Sequence, residues 1–307
     1  MISCKIIKFY SFDEKAKCWT AMSTWLYSLS LKFNTIISFN QQGTLTMKLT
    51  APIPDITHRF KWVWYRNFVV WSKFFKSSIA ATIVEPLLYL VGFGLGLSQL
   101  IKDVNGLSYM QYIAPGLVAY SAMNAATYEC TYGSYARMTV QKTYDAIIST
   151  PVNIEEVVTG EVAFAASKAV FASSVMLAVL AIFQLVPTWS ALAVPIATVT
   201  TGFVFASLAI LFTSFSYSWD FFSYYFTLLI APLFLLSGTF FPIETLPFWV
   251  TVIAWFTPLF HSVELCRGLF LGDIGLSDFI QHTVWLLAFG AIVFLIAVRR
   301  IRNRVIL

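Results

Sequence analysis

The side chains able to do chemistry are few and scattered. Glu85 stands beside Pro86 in an otherwise apolar run, EPLLYLVGFGLGL. His261, Glu264 and Arg267 follow one another at three-residue steps, which places them along one side of a helix. Glu129, Glu161 and Lys168 lie in or at the ends of apolar runs. A charged side chain facing lipid costs roughly 2.5–3.5 kcal/mol. Glu85 is therefore expected to face protein or water, either as a buried structural pair or as a contact of a transport path. The His261–Glu264–Arg267 set reads either as a local ion pair on the outer rim or as a gate that passes a polar headgroup. Glu161 and Lys168 read as charges near the membrane interface, with Lys168 snorkelling to the cytoplasmic surface.

Motifs for bond-breaking chemistry are missing. No G-x-x-x-x-G-K-[ST] phosphate loop occurs. GFGLGLS (Gly92–Ser98) is glycine-rich but has no lysine, and Gly92 and Gly96 read as a small-residue pair for close helix contact. The only histidines are His58, His261 and His282, and no H-E-x-x-H, H-x-x-E-H or G-x-S-x-G pattern is present. Cys4, Cys18, Cys130 and Cys266 show no metal spacing and read as free thiols. No catalytic residue, no metal and no cofactor held by this chain are expected. An intramembrane hydrolase or metalloenzyme does not fit.

Composition supplies the setting. Of 307 residues, 58% are hydrophobic and 11% charged, and the mean hydropathy is +0.75. Soluble domains carry about 25% charged residues, so the chain reads as an all-α integral membrane protein. Six apolar runs approach the ~20 residues a spanning helix needs: Ile79–Ile101, Tyr109–Tyr132, Val162–Val186, Ala191–Phe215, Phe221–Phe241 and about Phe279–Val298. Lys48, Arg59, Lys61, Arg66, Lys73, Lys76, Arg137, Lys142, Arg299, Arg300, Arg302 and Arg304 fall on one side of six spans, against Lys102 and Arg267 on the other. Positive charge stays inside, so both termini are expected in the cytoplasm. Residues 1–46 are irregular, with neither the apolar stretch nor the cleavage site of a signal peptide, and read as an extension before a candidate start at Met47.

Two segments outside the spans are patterned. In HRFKWVWYRNFVVWSKFFKS (His58–Ser77), which covers nearly all of an expected interface helix over 57–76, Phe60, Trp64, Phe68, Trp71 and Phe75 recur at three- and four-residue steps, opposite Arg59, Arg66 and Lys73. That pattern predicts a helix lying in the headgroup layer, as a plain anchor or as a helix that also meets a cytoplasmic partner. Asp55 or Thr57 is expected to cap it. In ARMTVQKTYDAIISTPVNIEEVVTGE (Ala136–Glu161), Tyr144–Ser149 is expected as a short helix, stopped before Pro151. A second helix is expected from Asn153, with Glu155 and Glu156 in its first turn. It would run directly into the third span. A short helix held out on two spans makes a rigid knob.

EPLLYLVGFGLGL (Glu85–Leu97), SYMQYIAPGLVAYSAMNAATYE (Ser108–Glu129) and LLSGTFFPIETLPFWVTVIAWFTPLFHSVELCRGLFLG (Leu235–Gly272) resemble the permease subunits of type-2 ABC exporters. WVWYRNFVVWSKFF (Trp62–Phe75) fits the nodulation-protein-J group of lipo-oligosaccharide exporters within them. The resemblance runs from Met47 to about Arg304. It implies six spans, an N-terminal interface helix, a coupling helix between the second and third spans, and a re-entrant outer segment over residues 243–272. It also implies pairing with a second copy, two copies of a separate ATPase that uses ATP and Mg, and a lipid-like cargo. No nucleic-acid partner is expected. The family coupling helix falls on Lys142–Thr150, with Lys142, Tyr144, Asp145 and Ile148 as its candidate ATPase-coupling residues. The apolar stretch after Gly238 is too long to cross once and too broken by Pro242, Pro247 and Pro258 to cross twice, which suits a segment that dips and returns.

The leading expectation is an ATP-driven exporter permease of the bacterial inner membrane, for an amphiphilic glycolipid or lipo-oligosaccharide. A drug or toxin exporter of the same mechanism is the alternative. An ion-coupled secondary transporter is the alternative from another class, but such proteins usually show repeated halves and midplane breaks, and no internal repeat is visible here.

Overall fold

The computed structural model describes residues 56–98, 104, 106–243 and 247–306. The extension over 1–46, Asp55, Lys102 and Glu244 lie outside them. The described residues belong to one packed unit, Pro54–Leu307, and their regular elements are helical.

In chain order these are α1 (Phe60–Ser72), α2 (Phe75–Ser98), α3 (Tyr109–Tyr128), α4 (Thr143–Ile148), α5 (Ile154–Ile182), α6 (Val194–Phe215), α7 (Phe221–Leu235), α8 (Phe248–Trp255), α9 (Pro258–Leu271) and α10 (Leu276–Ile306). Short polar signals set the starts. Ser108 and Gln111 form a reciprocal capping box at α3, and Asn153 and Glu156 form another at α5. Pro258 opens α9 in the first turn, where its missing N–H costs nothing.

Among the described residues each expected span overlaps a helix. Three are long and apolar enough to cross a bilayer by themselves: Ile154–Ile182, Trp189–Phe215 and Leu276–Val305. A fourth crossing arises if α8 and α9, bent by 86° at Phe256–Thr257, count as one broken span. The bend sits just before Pro258, as the prolines predict. Helix α7 stops at Leu235 rather than at Phe241. Its middle, Tyr225–Ile230, is wound as a wide π turn, and Gly238 takes a left-handed conformation that turns the chain (φ 77°).

The centre of the bundle is α3, α5 and α6, with α10 packed on α6 and α9 packed on α3, α6 and α10. Alanine and glycine let these helices approach closely, and Ala114, Ala119, Ala122, Ala165, Ala169, Ala206 and Ala209 are fully buried. Gly92 and Gly96 are different. Both are exposed, and nothing lies within 4 Å of either position where a Cβ would stand. The expected close contact is not made among the described residues.

The N-terminal helix ends at Ser72, and Phe75 already belongs to α2. No side chain caps it. Thr57 instead donates its backbone N–H (3.2 Å) and its hydroxyl to Glu156 at the start of α5. The aromatic line is real: Trp64 stacks on Phe68 with centroids 5.4 Å apart, and Trp71 meets Phe171 of α5 edge-on at 5.0 Å. The buried line is a different one, Val63 and Asn67. Gly160 of α5 makes that contact feasible, since a Cβ there would stand 2.6 Å from Val63 Cβ and 2.9 Å from the Phe60 carbonyl oxygen.

Candidate functional site

The sequence-predicted knob exists. Helix α4 spans Thr143–Ile148, and Lys142, held left-handed at φ 53°, reverses the chain into it. Lys142 and Asp145 are exposed and Ile148 is half-buried. Tyr144 does not join them on that surface. It is only 1% exposed, so its side chain faces the protein interior and not an outside partner. Burial raises its hydroxyl pKa well above the usual value, and the negative charge of Glu161 adds to this.

Tyr144 points toward a buried charge cluster that sequence reasoning missed. After Tyr128 the third helix continues through two π-wound stretches, Glu129–Gly133 and Ala136–Val140. Such wide turns are frequent at functional sites. Here they bring Arg137 back onto Glu129 (2.7 Å) and across to Glu161 of α5. Gly133 leaves room for this arrangement, because a Cβ there would lie 3.0 Å from Glu129 Oε1 and 3.2 Å from Arg137 Nη2. Lys168 pairs with the other Glu129 oxygen at 2.8 Å. Glu161 is fully buried and also accepts hydrogen bonds from Ser134 (2.9 Å) and from Asn67 of α1 (3.2 Å).

This arrangement corrects three expectations. Lys168 is held by Glu129 and does not snorkel freely. Glu161 is an interior charge, not an interfacial one. Arg66 does not share the exposed basic face of Arg59 and Lys73: it is half-buried and donates to Asn67 Oδ1 (3.2 Å). Burial lowers its guanidinium pKa, Glu161 opposes that shift, and nearby Arg137 adds to it. Two carboxylates and two partnered cations inside the protein satisfy the rule that buried charge is paired and hydrogen-bonded. The cluster ties α1, the end of α3 and α5 together, and Tyr144 of α4 is buried near it. Arg302 to Glu155 (3.2 Å) and Arg59 to the Pro151 carbonyl hold the same end of the bundle.

Glu85 faces protein and cavity, as its cost in lipid demands. The Tyr120 hydroxyl donates to Glu85 Oε1 at 2.6 Å and the Asn124 amide donates to Oε2 at 3.3 Å. Glu85 lines two cavities, of about 400 Å³ and 360 Å³, between α2, α3, α5 and α7.

At the other end, Glu264 and Arg267 do form an ion pair. Arg267 also donates to the Gly238 carbonyl (2.7 Å) and lies over the Tyr112 ring, 4.5 Å from its centroid. His261 is not part of this group. Six residues of α-helix rotate a side chain by about 120°, so His261 and Arg267 look in different directions. His261 is fully buried. Its Nε2 is 2.8 Å from the Trp255 carbonyl and its Nδ1 is 2.7 Å from His282 Nδ1 on α10. A carbonyl only accepts, so His261 carries its proton on Nε2 and accepts on Nδ1 from the His282 Nδ1–H. His282→Ala should leave that buried nitrogen unpaired and cost about 1–3 kcal/mol. Thermal unfolding of the detergent-purified protein measures it, and an unchanged midpoint would contradict the bond.

Cys130 and Cys266 are free and buried, in line with their reading as thiols. Among the described residues no group of His, Cys, Asp or Glu could hold a metal ion.

Residues 58–271 match the family described as ABC-2 type transporter. The nodulation protein J of Rhizobium leguminosarum bv. trifolii is 38% identical over 249 residues, which is 80% of this chain and 93% of that protein. The nodulation protein J of Rhizobium meliloti (strain 1021) is 40% identical over 214 residues, 69% of this chain and 80% of that protein. The inner membrane transport permease YadH of Escherichia coli (strain K12) is 24% identical over 71% of this chain and 84% of that protein.

Proposed function

This chain belongs to the ABC-2 type transporter family, and from that premise we propose that it is the permease subunit of an ATP-driven exporter whose cargo is an amphiphilic glycolipid or lipo-oligosaccharide. Two copies pair, and each receives force from one copy of a separate ATPase through α4. The six helical runs span the inner membrane with both termini in the cytoplasm, and the bent α8–α9 pair dips into the outer leaflet and returns. The positive-inside distribution of Lys and Arg supports that orientation. The resemblance to the nodulation-protein-J group supports the cargo class.

One observation carries the coupling role. An exposed six-residue helix is roofed by buried ion pairs that reach three longer helices. A push on α4 is therefore passed to α1, α3 and α5 together, because packed, ion-paired side chains resist separation. Lys142, Asp145 and Ile148 form the surface offered to the ATPase, and Tyr144 anchors it from below. Asp145→Arg should reduce co-purification of the ATPase at least about tenfold, the scale of one reversed interfacial charge. Asp145→Cys should react with an impermeant thiol reagent only in inside-out vesicles. Labelling from the outer side, or undiminished co-purification, would sink the reading.

A further inference from the structure

We propose that Glu85, Tyr120 and Asn124 form a binding subsite for a headgroup that donates hydrogen bonds, and that this subsite selects against anionic amphiphiles. The inference rests on the reading above, that the chain exports an amphiphile, and adds what its path recognises at Glu85.

The geometry carries it. Tyr120 and Asn124 each donate to a different oxygen of Glu85, so both oxygens act as acceptors. Each carboxylate oxygen has about two lone-pair sites, which leaves one free on each. Among the described residues no cation pairs with Glu85, and the Lys168 that shares its cavity is held by Glu129. The carboxylate therefore keeps acceptor capacity that the protein does not use.

Both cavities flanking it are mostly apolar, and they differ in the groups set among the apolar ones. The one of about 400 Å³ is bordered by Ser78, Thr82 and Ser121 as well as Asn124. The one of about 360 Å³ is bordered by the rings of Tyr89, Phe234 and Phe240. Both volumes fall in the range of small-molecule pockets. Tyr120 stacks on Phe234 with centroids 3.8 Å apart, which fixes the hydroxyl that orients Glu85. An amphiphile placed across Glu85 would set hydroxyl or ammonium donors in the first cavity and an apolar portion against rings in the second. An anionic headgroup would bring acceptors to an acceptor, and the cation bordering the first cavity, Lys168, is already paired with Glu129.

The test uses the full chain in phosphatidylcholine nanodiscs, without nucleotide or partner, with empty nanodiscs subtracted. Four amphiphiles with one tail are titrated below their micelle concentrations: dodecyl maltoside, dodecylammonium, dodecyltrimethylammonium and dodecyl sulfate. The first two should bind about tenfold more tightly than the last two, and Glu85→Gln should remove about tenfold of that binding. If Glu85→Gln fails to fold, Asn124→Lys seats a cation on the same oxygens and should produce the same loss. Equal affinity for all four, or no effect of the variants, would overturn the subsite. Tight binding of both cations without the maltoside would mean that charge alone is read, and would overturn donor recognition. These outcomes leave the role of α4 standing, just as undiminished ATPase association of Asp145→Arg would leave the binding result standing.

Discussion

Arg137→Gln should lower the stability of the folded chain by roughly 3–5 kcal/mol, the usual cost of removing one partner from a buried ion pair. Arg137 is the only described cation that bridges both Glu129 and Glu161. Without it Glu129 keeps Lys168, but Glu161 is left fully buried with only Ser134 and Asn67 as donors. Arg66 is near enough to feel Glu161 and limits the damage. The second substitution Glu161→Gln removes the uncompensated charge, so Arg137→Gln with Glu161→Gln should recover most of the loss. Thermal or denaturant unfolding of the two single variants and the double variant closes the cycle. Strictly additive effects would mean that the cluster is not an energetic unit. Transport should fall with Arg137→Gln even at temperatures where the variant stays folded, because the end of α3, which leads into α4, then loses its ion pair to α5.

Tyr144→Ala should cost up to about 3–5 kcal/mol, as truncating a large buried aromatic does. The loss should be local first. Helix α4 has six residues and cannot hold its shape in isolation, so its order depends on Tyr144 being seated in the protein. Amide exchange across Thr143–Ile148 should rise sharply in the variant while exchange in α5 and α6 stays slow. Tyr144→Phe keeps the ring and should keep most of the protection. Equal protection in wild type and Tyr144→Ala would show that the buried ring does not hold the knob.

The sequence made the helical runs legible because burial in lipid demands length and hydropathy, and both are additive along the chain. It also made α4 and the start of α5 legible. Pro151 limits the first, and Asn153 with Glu156 marks the second by a local bonding pattern. It did not reveal the partner of Glu161. Arg137 lies 24 residues away along the chain, and only the π-wound stretches after Tyr128 bring it into reach. Nor did it reveal that Tyr144 points inward. A tyrosine beside exposed Asp145 reads equally well on either face of so short a helix.

The outer segment divides in the same way. Three-residue spacing correctly brought Glu264 and Arg267 together, since i,i+3 neighbours meet on any helix. Extending the same step to His261 failed, because each step drifts by about 60° around the axis. The partner of His261, His282, comes from a helix that the chain reaches only after leaving α9. By itself the sequence determined the membrane class, the helical runs and the uneven distribution of Lys and Arg between them, all of which depend on composition and local order. The tertiary structure alone decided which buried charges meet, because pairing depends on axial rotation and winding, and a shift of one residue in either sends a side chain to another face.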